Sequence, residues 1–444
     1  MIVDRLPVDT GPAGWNEILP AAPPSNQLAG DETADWLVIG AGFAGLAAAR
    51  RLAQNNPGDR VVVLDAVRIG EGPVGRNSGF MIDLPHVLTS GDYIGGEDDE
   101  AREIWANREA IRFAMEAAAD YGMPPEALTL SGKINGAATQ KGLTHNEGYA
   151  EHLSRMDEPF QLLSAEEMRQ ITGSDYYLGG LQTPGTAMLQ PAQYARGMAA
   201  GLTSNRVRIY DQSPVTGLAR KGRLWSALTP KGSVTAPRVI LAVNGHVESF
   251  GGFKGRLMHV MLYASMTRAL TATEVAELGG EPTWGITPSD PMGTTVRRIS
   301  GDGGDRIIVR NRCTYAPSMK LGRSDIGGVA ADHDKSFERR FPQLSHVEME
   351  HRWAGRLCLS LNDAPAFGEI EDGLFSACCQ NGLGSSKGTF NGIAVADLAS
   401  GRDTEVVRFQ LSKPQPKRTP PGFLMRIGAP ATIKWREHSA GREL

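Results

Sequence analysis

The sequence predicts an α/β protein with two domains: a parallel sheet covered by helices, and an α+β domain built on a mixed or antiparallel sheet. Two observations predict this fold. A strand, a glycine-rich turn, a helix and a second strand follow one another within residues 35–65, and further apolar strands occur much later, at 238–242 and 375–379. Because long segments separate these pieces, we expect the parallel sheet to be discontinuous in the chain, with the second domain inserted into it.

The composition is that of a folded globular protein without a strong overall charge. The 444 residues include 46 Lys and Arg and 50 Asp and Glu, a formal net charge of −4, and 41% are hydrophobic. These values exclude a disordered chain, and the lack of a basic run argues against nucleic acid as a partner. No segment reads as a secretory signal or a membrane span, so we expect a cytoplasmic protein without a membrane partner. The four cysteines fit a reducing compartment, and no ligand spacing indicates a metal site.

The first informative segment is a complete β-α-β unit. Residues 35–39 form a short apolar strand, 40–45 read GAGFAG, 46–53 form an Ala-rich helix, and 60–64 form a second strand that ends at Asp65. This order is typical of a Rossmann-like dinucleotide-binding domain. A G-x-G-x-x-G alone would be a weak signal, whereas the strands, the helix and the terminal acid together specify the motif.

Each glycine of this unit has a separate role. Gly40 permits a tight turn, Gly42 lets the backbone approach a diphosphate, and Gly45 lets the helix pack closely against the strand. The diphosphate lies at the helix N-terminus, where unpaired N–H groups and the positive end of the helix dipole face it. Asp65 is placed to accept hydrogen bonds from the ribose hydroxyls. The predicted contacts of this unit are Gly40, Gly42, Phe43, Ala44, Gly45, Asp65 and Ala66.

A second glycine-rich segment distinguishes an FAD-binding domain from an NAD-binding domain. Residues 68–79 read RIGEGPVGRNSG, where an NAD-binding domain would continue with a helix and a third strand. We infer that this loop contacts the ligand; the alternative is a loop exposed to solvent. With this loop, the sequence resembles the glycine oxidase/D-amino-acid oxidase family of FAD-dependent amine oxidoreductases. In that family a loop containing Arg-Asn-x-Gly runs along the diphosphate and under the isoalloxazine ring.

The resemblance implies an FAD-binding domain of the glutathione-reductase type and extends over most of the chain. Residues 206–215 resemble a strand and turn beside adenine, and 238–245 a later strand of that domain with the residues that follow it. Residues 352–355 and 363–368 resemble the return from the substrate domain, and 375–398 a strand, turn and helix beside the flavin ring. It implies cofactor contacts for Arg68, Gly75, Arg76, Asn77, Ser78, Gly79, Val215, Asn244, Gly245, Gly382, Gly384, Ser385, Ser386 and Lys387. We expect non-covalent FAD, because the first loop lacks the His to which some relatives attach flavin.

The last of these helices has a physical role in this interpretation. Reduced flavin carries negative charge, which a helix N-terminus stabilises. Lys387 falls in the first turn, where a cation would favour the reduced anion and ease hydride acceptance; the alternative is a lysine in solvent. Leu383 stands where close relatives usually have His. The role of that His is therefore not carried over.

Inserted segments supply the substrate half. We expect residues 34–92, 183–256 and 351–402 to form the FAD-binding domain and 93–182 and 257–350 the substrate domain, with an N-terminal extension at 1–33 and a C-terminal tail at 403–444. In the first insert, residues 164–167 form a capping box, and Gly173 ends the helix that they start.

The second insert contains a β-hairpin with the turn Gly301–Gly304. If residue 300 pairs with 305, alternation places Val296, Arg298, Ile307 and Val309 on one face and Thr295, Arg297, Arg306, Arg310 and Arg312 on the other. Family members usually have glycines at 310–312, in a strand near the flavin. Arg310 and Arg312 are therefore our candidates for binding an anionic substrate group, and with Lys387 they are the predicted catalytic residues. The alternative is an Arg face exposed to solvent or to another subunit; His246 and His259 are further candidates.

These features predict FAD-dependent oxidation of a C–N bond in a small amine or amino-acid derivative. Hydride would pass from the α-carbon to flavin N5, and water would hydrolyse the imine. The resemblance implies O2 as the acceptor, giving H2O2; a quinone or another electron carrier is the alternative. Two other functions stay open, an NAD-dependent dehydrogenase and a flavin-binding subunit without its own turnover. A homo-oligomer is compatible with the Arg face.

Overall fold

The computed structural model describes residues 1–85 and 97–444, without the side chains of residues 97 and 98. The predicted domain boundary at 92/93 lies outside the described residues. The helices are α1 (Gly14–Glu17), α2 (Phe43–Asn55), α3 (Glu97–Asp120), α4 (Gln140–Arg155), α5 (Ala165–Thr172), α6 (Pro191–Leu202), α7 (Ala272–Leu278), α8 (Arg323–Arg340), α9 (Gly384–Ala399), α10 (Glu405–Ser412) and α11 (Gly422–Ala440).

The strands alternate with these helices along the chain. They are β1 (Gly30–Thr33), β2 (Trp36–Ile39), β3 (Val61–Leu64), β4 (Phe80–Met81), β5 (Leu128–Leu130), β6 (Lys133–Ala137), β7 (Gln161–Ser164), β8 (Gly179–Thr183), β9 (Ala187–Leu189), β10 (Val207–Tyr210), β11 (Gly217–Lys221), β12 (Leu224–Thr229), β13 (Gly232–Ala236), β14 (Arg238–Leu241), β15 (Leu257–Thr267), β16 (Trp284–Pro288), β17 (Thr295–Ile299), β18 (Arg306–Tyr315), β19 (Met349–Ser360), β20 (Ala366–Glu371) and β21 (Leu374–Cys378).

The predicted parallel sheet is present, with the strand order β10-β3-β2-β14-β21-β20, in which only the edge strand β20 pairs antiparallel. Every residue of β2 and β3 is buried, as expected for short apolar strands covered on both faces. Trp36 and Val38 pack in a cluster with residues of α2 and α9. Leu37 and Ile39 pack on the opposite side with residues of β12 and β13, which belong to a smaller sheet of order β1-β13-β12-β11. A β-ribbon of order β4-β9-β5 lies apart from both.

The second large sheet is mixed, which confirms the predicted architecture. Its order is β19-β15-β18-β17-β16-β6-β8-β7, and its pairs are antiparallel except that of β16 with β6. One face carries Ile134, Val296 and Ile307, which pack against Phe337 of α8 and Met168 of α5. The other face looks toward the parallel sheet. β19 pairs within this mixed sheet, although residues 351–360 were predicted in the FAD-binding segment.

Two local predictions of the substrate half are confirmed. Helix α5 begins with a reciprocal capping box between Ser164 and Glu167 and ends at Gly173, which has a left-handed φ of 70°. In the hairpin, Thr295 pairs with Arg310, which is the predicted register. Val296, Ile307 and Val309 share the buried face, as alternation requires.

Arg312 departs from this alternation. The pairing of β15 with β18 shifts between Leu262 and Tyr263, which leaves Arg312 as the extra residue of a β-bulge with a left-handed φ of 59°. Its guanidinium then points to α8 and α11, where it binds Asp332 and Glu437. The prediction that Arg310 and Arg312 share one face is therefore wrong, because a bulge re-aims the side chain that follows Asn311.

Candidate functional site

A deep cavity lies between the carboxyl ends of the parallel strands and the mixed sheet. This is the edge at which open α/β sheets bind their ligands. The predicted site residues that line the cavity are Gly40, Gly42, Phe43, Ala44, Asp65, Ala66, Arg68, Arg76, Asn77, Ser78, Val215, Asn244, Gly245, Arg310, Gly382, Gly384 and Ser385. The predicted site residues that do not line it are Gly45, Gly75, Gly79, Arg312, Ser386 and Lys387.

The three glycines of the first turn differ in what surrounds them. A Cβ at Gly40, where φ is 104°, would lie 2.5 Å from the Ala242 carbonyl oxygen, and a Cβ at Gly45 would lie 1.7 Å from the Gly40 carbonyl oxygen. A Cβ at Gly42 would meet no protein atom within 4 Å. Gly40 and Gly45 are therefore required by the packing of the chain itself, whereas Gly42 opens the backbone toward the cavity.

Two helices point their N-termini at this cavity. Helix α2 begins after Gly42 and α9 begins at Gly384, and neither has a side-chain cap. The first N–H groups of a helix have no partner within the helix, so an uncapped N-terminus is suited to bind an anion. The hydroxyls of Ser385 and Ser386 donate to the carbonyl oxygens of Phe80 and Ile82, at 2.6 and 2.7 Å. These bonds fix α9 against the segment that follows the second glycine-rich loop.

Asp65 follows the last residue of β3 as a half-buried carboxylate at the edge of the cavity. It accepts hydrogen bonds from the backbone N–H groups of Ala41, at 2.6 Å, and Val67, at 2.9 Å. Burial raises the pKa of Asp65 to about 6, although these hydrogen bonds oppose the shift. The carboxylate thus holds the first turn in place and keeps acceptor capacity for further donors.

Arg76 joins three parts of the structure around the second loop. Its guanidinium donates to the carbonyl oxygens of Glu71, Ala354 and Gly11, at 2.8, 3.2 and 2.5 Å. Burial lowers the pKa of Arg76, and the nearby Asp9 carboxylate opposes the shift. Arg76 lines the cavity as predicted, but its N–H groups mainly form hydrogen bonds within the protein.

The N-terminal segment forms part of the cavity wall, which the sequence did not predict. Val3 and residues 5–7 line the cavity. Trp15 is fully buried and donates from Nε1 to the Asn77 carbonyl oxygen at 2.8 Å. Asn16 donates to the Gly70 carbonyl oxygen at 2.9 Å. The extension predicted at 1–33 is therefore packed onto the second glycine-rich loop, although no motif in it indicates this.

Lys387 lies in the first turn of α9, as predicted, but lines a different, smaller cavity. Glu103 and Lys413, which form an ion pair, line the same small cavity. The side chain therefore points to α3 and the C-terminal tail rather than into the main cavity. Leu383, just before the helix, is buried with Phe80 and packs as a core residue.

Arg310 is the candidate substrate residue that lies on the main cavity. Its guanidinium forms no hydrogen bond or ion pair with any residue of the described ranges 1–85 and 97–444. Burial lowers the pKa of Arg310, because the charged form loses hydration without gaining a carboxylate. An unpaired guanidinium facing a cavity is suited to bind an anionic group.

The neighbouring Arg297 has a structural role. It lies on the same face as Arg310 and packs against the rings of Trp15 and Phe80, with centroids 5.2 and 5.6 Å away. Its guanidinium donates to the carbonyl oxygens of Gly79 and Leu189, at 2.9 and 2.8 Å. The alternative of an Arg face in solvent is therefore wrong for this residue, which is buried.

The two candidate histidines both line the cavity. His259 is 2.8 Å from the Glu248 carboxylate through Nε2. Burial lowers the pKa of His246 to about 3, with Arg356 adding to the effect. His246 is thus neutral at physiological pH. No group of three or more His, Cys, Asp or Glu that could hold a metal occurs within the described ranges.

Comparison with known proteins identifies the family. Residues 35–398 match the DAO family model, described as FAD dependent oxidoreductase. The chain belongs to this family. It is 28% identical over 406 residues to a probable oxidoreductase OrdL from Haemophilus influenzae, covering 87% of each chain. It is 27% identical over 380 residues to γ-glutamylputrescine oxidoreductase from Escherichia coli, covering 83% of this chain and 84% of that protein.

Solved structures share the fold of this DAO-family chain. Glycine oxidase from Geobacillus kaustophilus has a TM-score of 0.70 at 18% identity, over 88% of this chain and 100% of that one. The protein is therefore an FAD-dependent oxidoreductase, and NAD-dependent dehydrogenation is not supported. The cavity fits FAD, because the open backbone at Gly42, the acceptor Asp65 and two uncapped helix N-termini lie along it.

Proposed function

We propose that this protein oxidises a C–N bond of a small amine or amino-acid derivative that carries an anionic group. The names of relatives support the substrate class, since they include a γ-glutamylputrescine oxidoreductase, a glycine oxidase and an L-amino acid deaminase. The observation that carries the anionic group is Arg310, a guanidinium on the cavity that no carboxylate of the described ranges pairs.

The residues that would hold FAD follow from the cavity. We assign the diphosphate to the turn at 40–45, the ribose to Asp65, and the adenine to the region of Ala66 and Val215. We assign the isoalloxazine ring to the segments 76–79 and 382–386. Ser385 and Ser386 donate to the carbonyl oxygens of Phe80 and Ile82, just after the first of these segments. The uncapped N-terminus of α9 would stabilise negative charge on the ring.

Bound FAD would supply a two-electron acceptor for oxidation of the substrate C–N bond to an imine, which water would hydrolyse, and O2 would take up the two electrons with two protons to give H2O2. The chain itself binds and orients the substrate. Arg310 would hold the anionic group through parallel N–H donors, which fixes the α-carbon relative to the ring. Arg312 and Lys387 would not contact the substrate, because their side chains point away from the main cavity.

We further propose that FAD is bound non-covalently. Cys358 is the cysteine that lines the cavity, and a hydrogen bond with Cys379 together with burial raises the pKa of its thiol. A thiol that stays protonated is a poor nucleophile. Acid precipitation of the yellow protein should leave the flavin in the supernatant. Flavin that stays with the precipitate would contradict this assignment.

An anaerobic substrate screen tests the proposed function. We expect bleaching of the flavin by members of a panel of N-methyl amino acids, γ-glutamylated amines and polyamines. With such a substrate, Arg310→Met should raise KM about 100-fold for the anionic compound, since a charge-assisted hydrogen bond is lost, and should change KM little for its analogue without the carboxylate. Arg312→Met is the matched control. Equal effects on both compounds would exclude Arg310 as the anion site.

The electron acceptor requires a separate measurement. The reduced enzyme, mixed with aerated buffer or with a quinone, should be reoxidised by O2 with release of one peroxide per flavin. Reoxidation by the quinone alone would favour a dehydrogenase. Failure of every amine in the panel to bleach the flavin would favour a flavin-binding subunit without its own turnover.

A further inference from the structure

The C-terminal segment has a charge bias that the whole chain lacks. Residues 406–436 contain seven Lys and Arg residues and no Asp or Glu, whereas the formal net charge of the chain is −4. Within this segment, Arg408 and Lys413 pair with acids that lie outside it. The exposed cations without an ion pair to any described residue are Lys417, Arg418, Arg426 and Lys434. These side chains give this end of the molecule a local positive charge.

Helix α11, within this segment, exposes large apolar side chains on one side. Phe423, Ile427 and Trp435 are 67%, 72% and 67% exposed, and Leu424 beside them is 49% exposed. At 3.6 residues per turn, positions 423, 424, 427 and 435 all lie within about 120° of the helix surface. We name these four residues the apolar stripe.

The helix is docked by its opposite side, so the apolar stripe faces away from the protein. Glu437 binds the Arg312 guanidinium at 3.0 Å and accepts from the Cys313 N–H at 3.1 Å, which attaches the helix to β18. Met425 and Ile433 are partly buried on that inner side. The exposure of the stripe is therefore set by the way α11 packs and not by a loose helix end.

The apolar stripe and the positive charge around it together indicate what kind of molecule binds this surface. Scattered exposed apolar residues are normal, but several on one helix face mark an interaction surface. A second copy of this chain would bring the cations of two such helices close together, which like-charge repulsion opposes. An anionic bilayer complements both features, because apolar side chains enter the interface, Trp favours the headgroup level and Lys and Arg meet the lipid phosphates.

We propose that α11 and the cations around it dock this enzyme on the surface of an anionic phospholipid bilayer, with the helix lying in the plane of the interface. No helix in the described part of the chain is long and apolar enough to cross a membrane. The expectation of no membrane partner depended on the absence of a membrane-spanning segment. Attachment through one helix face does not require such a segment.

Vesicle flotation with the flavin-loaded protein tests this proposal. We expect the protein to float with vesicles of phosphatidylcholine and phosphatidylglycerol and to remain at the bottom with phosphatidylcholine alone. Raising the ionic strength from about 0.1 M to about 1 M should release most of it, because the Debye length falls from about 10 Å to about 3 Å. Binding to neither composition, or equal binding to both, would overturn the proposal.

Two sets of variants separate the apolar and the charged contributions. The triple variant Phe423→Ser, Ile427→Ser and Trp435→Ser should lower the bound fraction about tenfold or more, as should Arg418→Glu with Arg426→Glu and Lys434→Glu. The matched control is Leu130→Ser with Leu228→Ser, which removes side chains that are 55% and 51% exposed on other elements. The control should bind like the parent protein.

The flavin spectrum and amine oxidation rate in solution verify that each variant is folded, since these substitutions lie at exposed positions away from the cavity. Light scattering of the vesicle-free protein tests the alternative occupant. A dimer that the apolar-stripe variant converts to a monomer, without vesicle binding by the parent, would assign the surface to a second copy and contradict the proposal.

Discussion

The Asp9 carboxylate lies 2.9 Å from the guanidinium of Arg356, an ion pair that joins the N-terminal segment to β19. Arg356 also donates to the Val8 carbonyl oxygen at 2.9 Å, and its side chain is only 7% exposed. Arg356 lines the main cavity, and so do residues 5–7, which precede Asp9 in the chain. The ion pair therefore holds one wall of the proposed FAD site in position.

We expect Asp9→Asn to accelerate FAD release about tenfold. The substitution leaves the Arg356 and Arg76 guanidinium groups close together without the charge of Asp9 between them, so the segment should detach more often. The rate can be measured from the rise in flavin fluorescence after dilution. Asp4→Asn is the control, because Asp4 is exposed and has no ion pair within the described ranges. Equal release rates for the two variants would contradict this role of Asp9.

FAD affinity should depend on pH through Asp65. Burial raises the pKa of Asp65 to about 6, so the carboxyl group is increasingly protonated below that pH in the cofactor-free protein. The protonated form is the poorer acceptor for ribose hydroxyls. Affinity should therefore be constant above about pH 7 and fall as the pH drops through 6.

Titration of the apoprotein with FAD across this range measures the effect. Asp65→Asn should bind FAD about tenfold more weakly at pH 7.5, because the amide is a weaker acceptor than a carboxylate, and its affinity should not change between pH 5 and 7.5. If the parent protein and Asp65→Asn show the same pH profile, another group titrates.

The parts of the site that could be predicted from the sequence are those whose geometry is local. Gly40, Gly45 and Asp65 belong to one β-α-β unit, so their spacing alone determines their positions. The hairpin register could also be predicted, since a short turn and alternation determine which residues pair. The role of Leu383 could not, because it depends on burial against Phe80, some 300 residues earlier in the chain.

The N-terminal segment and Arg312 show why the remainder could not be predicted. Trp15 contacts the carbonyl oxygen of Asn77, and Arg312 contacts Glu437, which is 125 residues away. Neither contact leaves a pattern in its own stretch of sequence. The bulge that re-aims Arg312 depends on the register of β15, a strand that strict alternation along β18 does not take into account.

The pair Gly42→Ala and Gly45→Ala should separate ligand contact from packing. A methyl group at Gly42 meets no protein atom within 4 Å, so the free energy of unfolding of the apoprotein should change by less than about 0.5 kcal/mol while FAD affinity falls. A methyl group at Gly45 overlaps the Gly40 carbonyl oxygen and should cost about 3 kcal/mol or more. Urea unfolding of both apoproteins measures this difference. Equal destabilisation would mean that packing requires Gly42 as well, and an unchanged FAD affinity in Gly42→Ala would mean that the open space there has no role in binding.

Arg312→Ala should loosen the C-terminal helix and leave substrate binding unchanged. Its guanidinium lies 2.9 Å from Asp332 and 3.0 Å from Glu437, so its removal should lower the free energy of unfolding by about 1–3 kcal/mol. Glu437→Gln should also lower the free energy of unfolding. The double variant should lower it by less than the sum of the two single variants, because both changes break the same contact. KM for an anionic amine should stay at the parent value in Arg312→Ala, in contrast to Arg310→Met. A KM that rises equally in both variants would place the two arginines in one substrate site, and it would show that the bulge in β18 does not separate their roles.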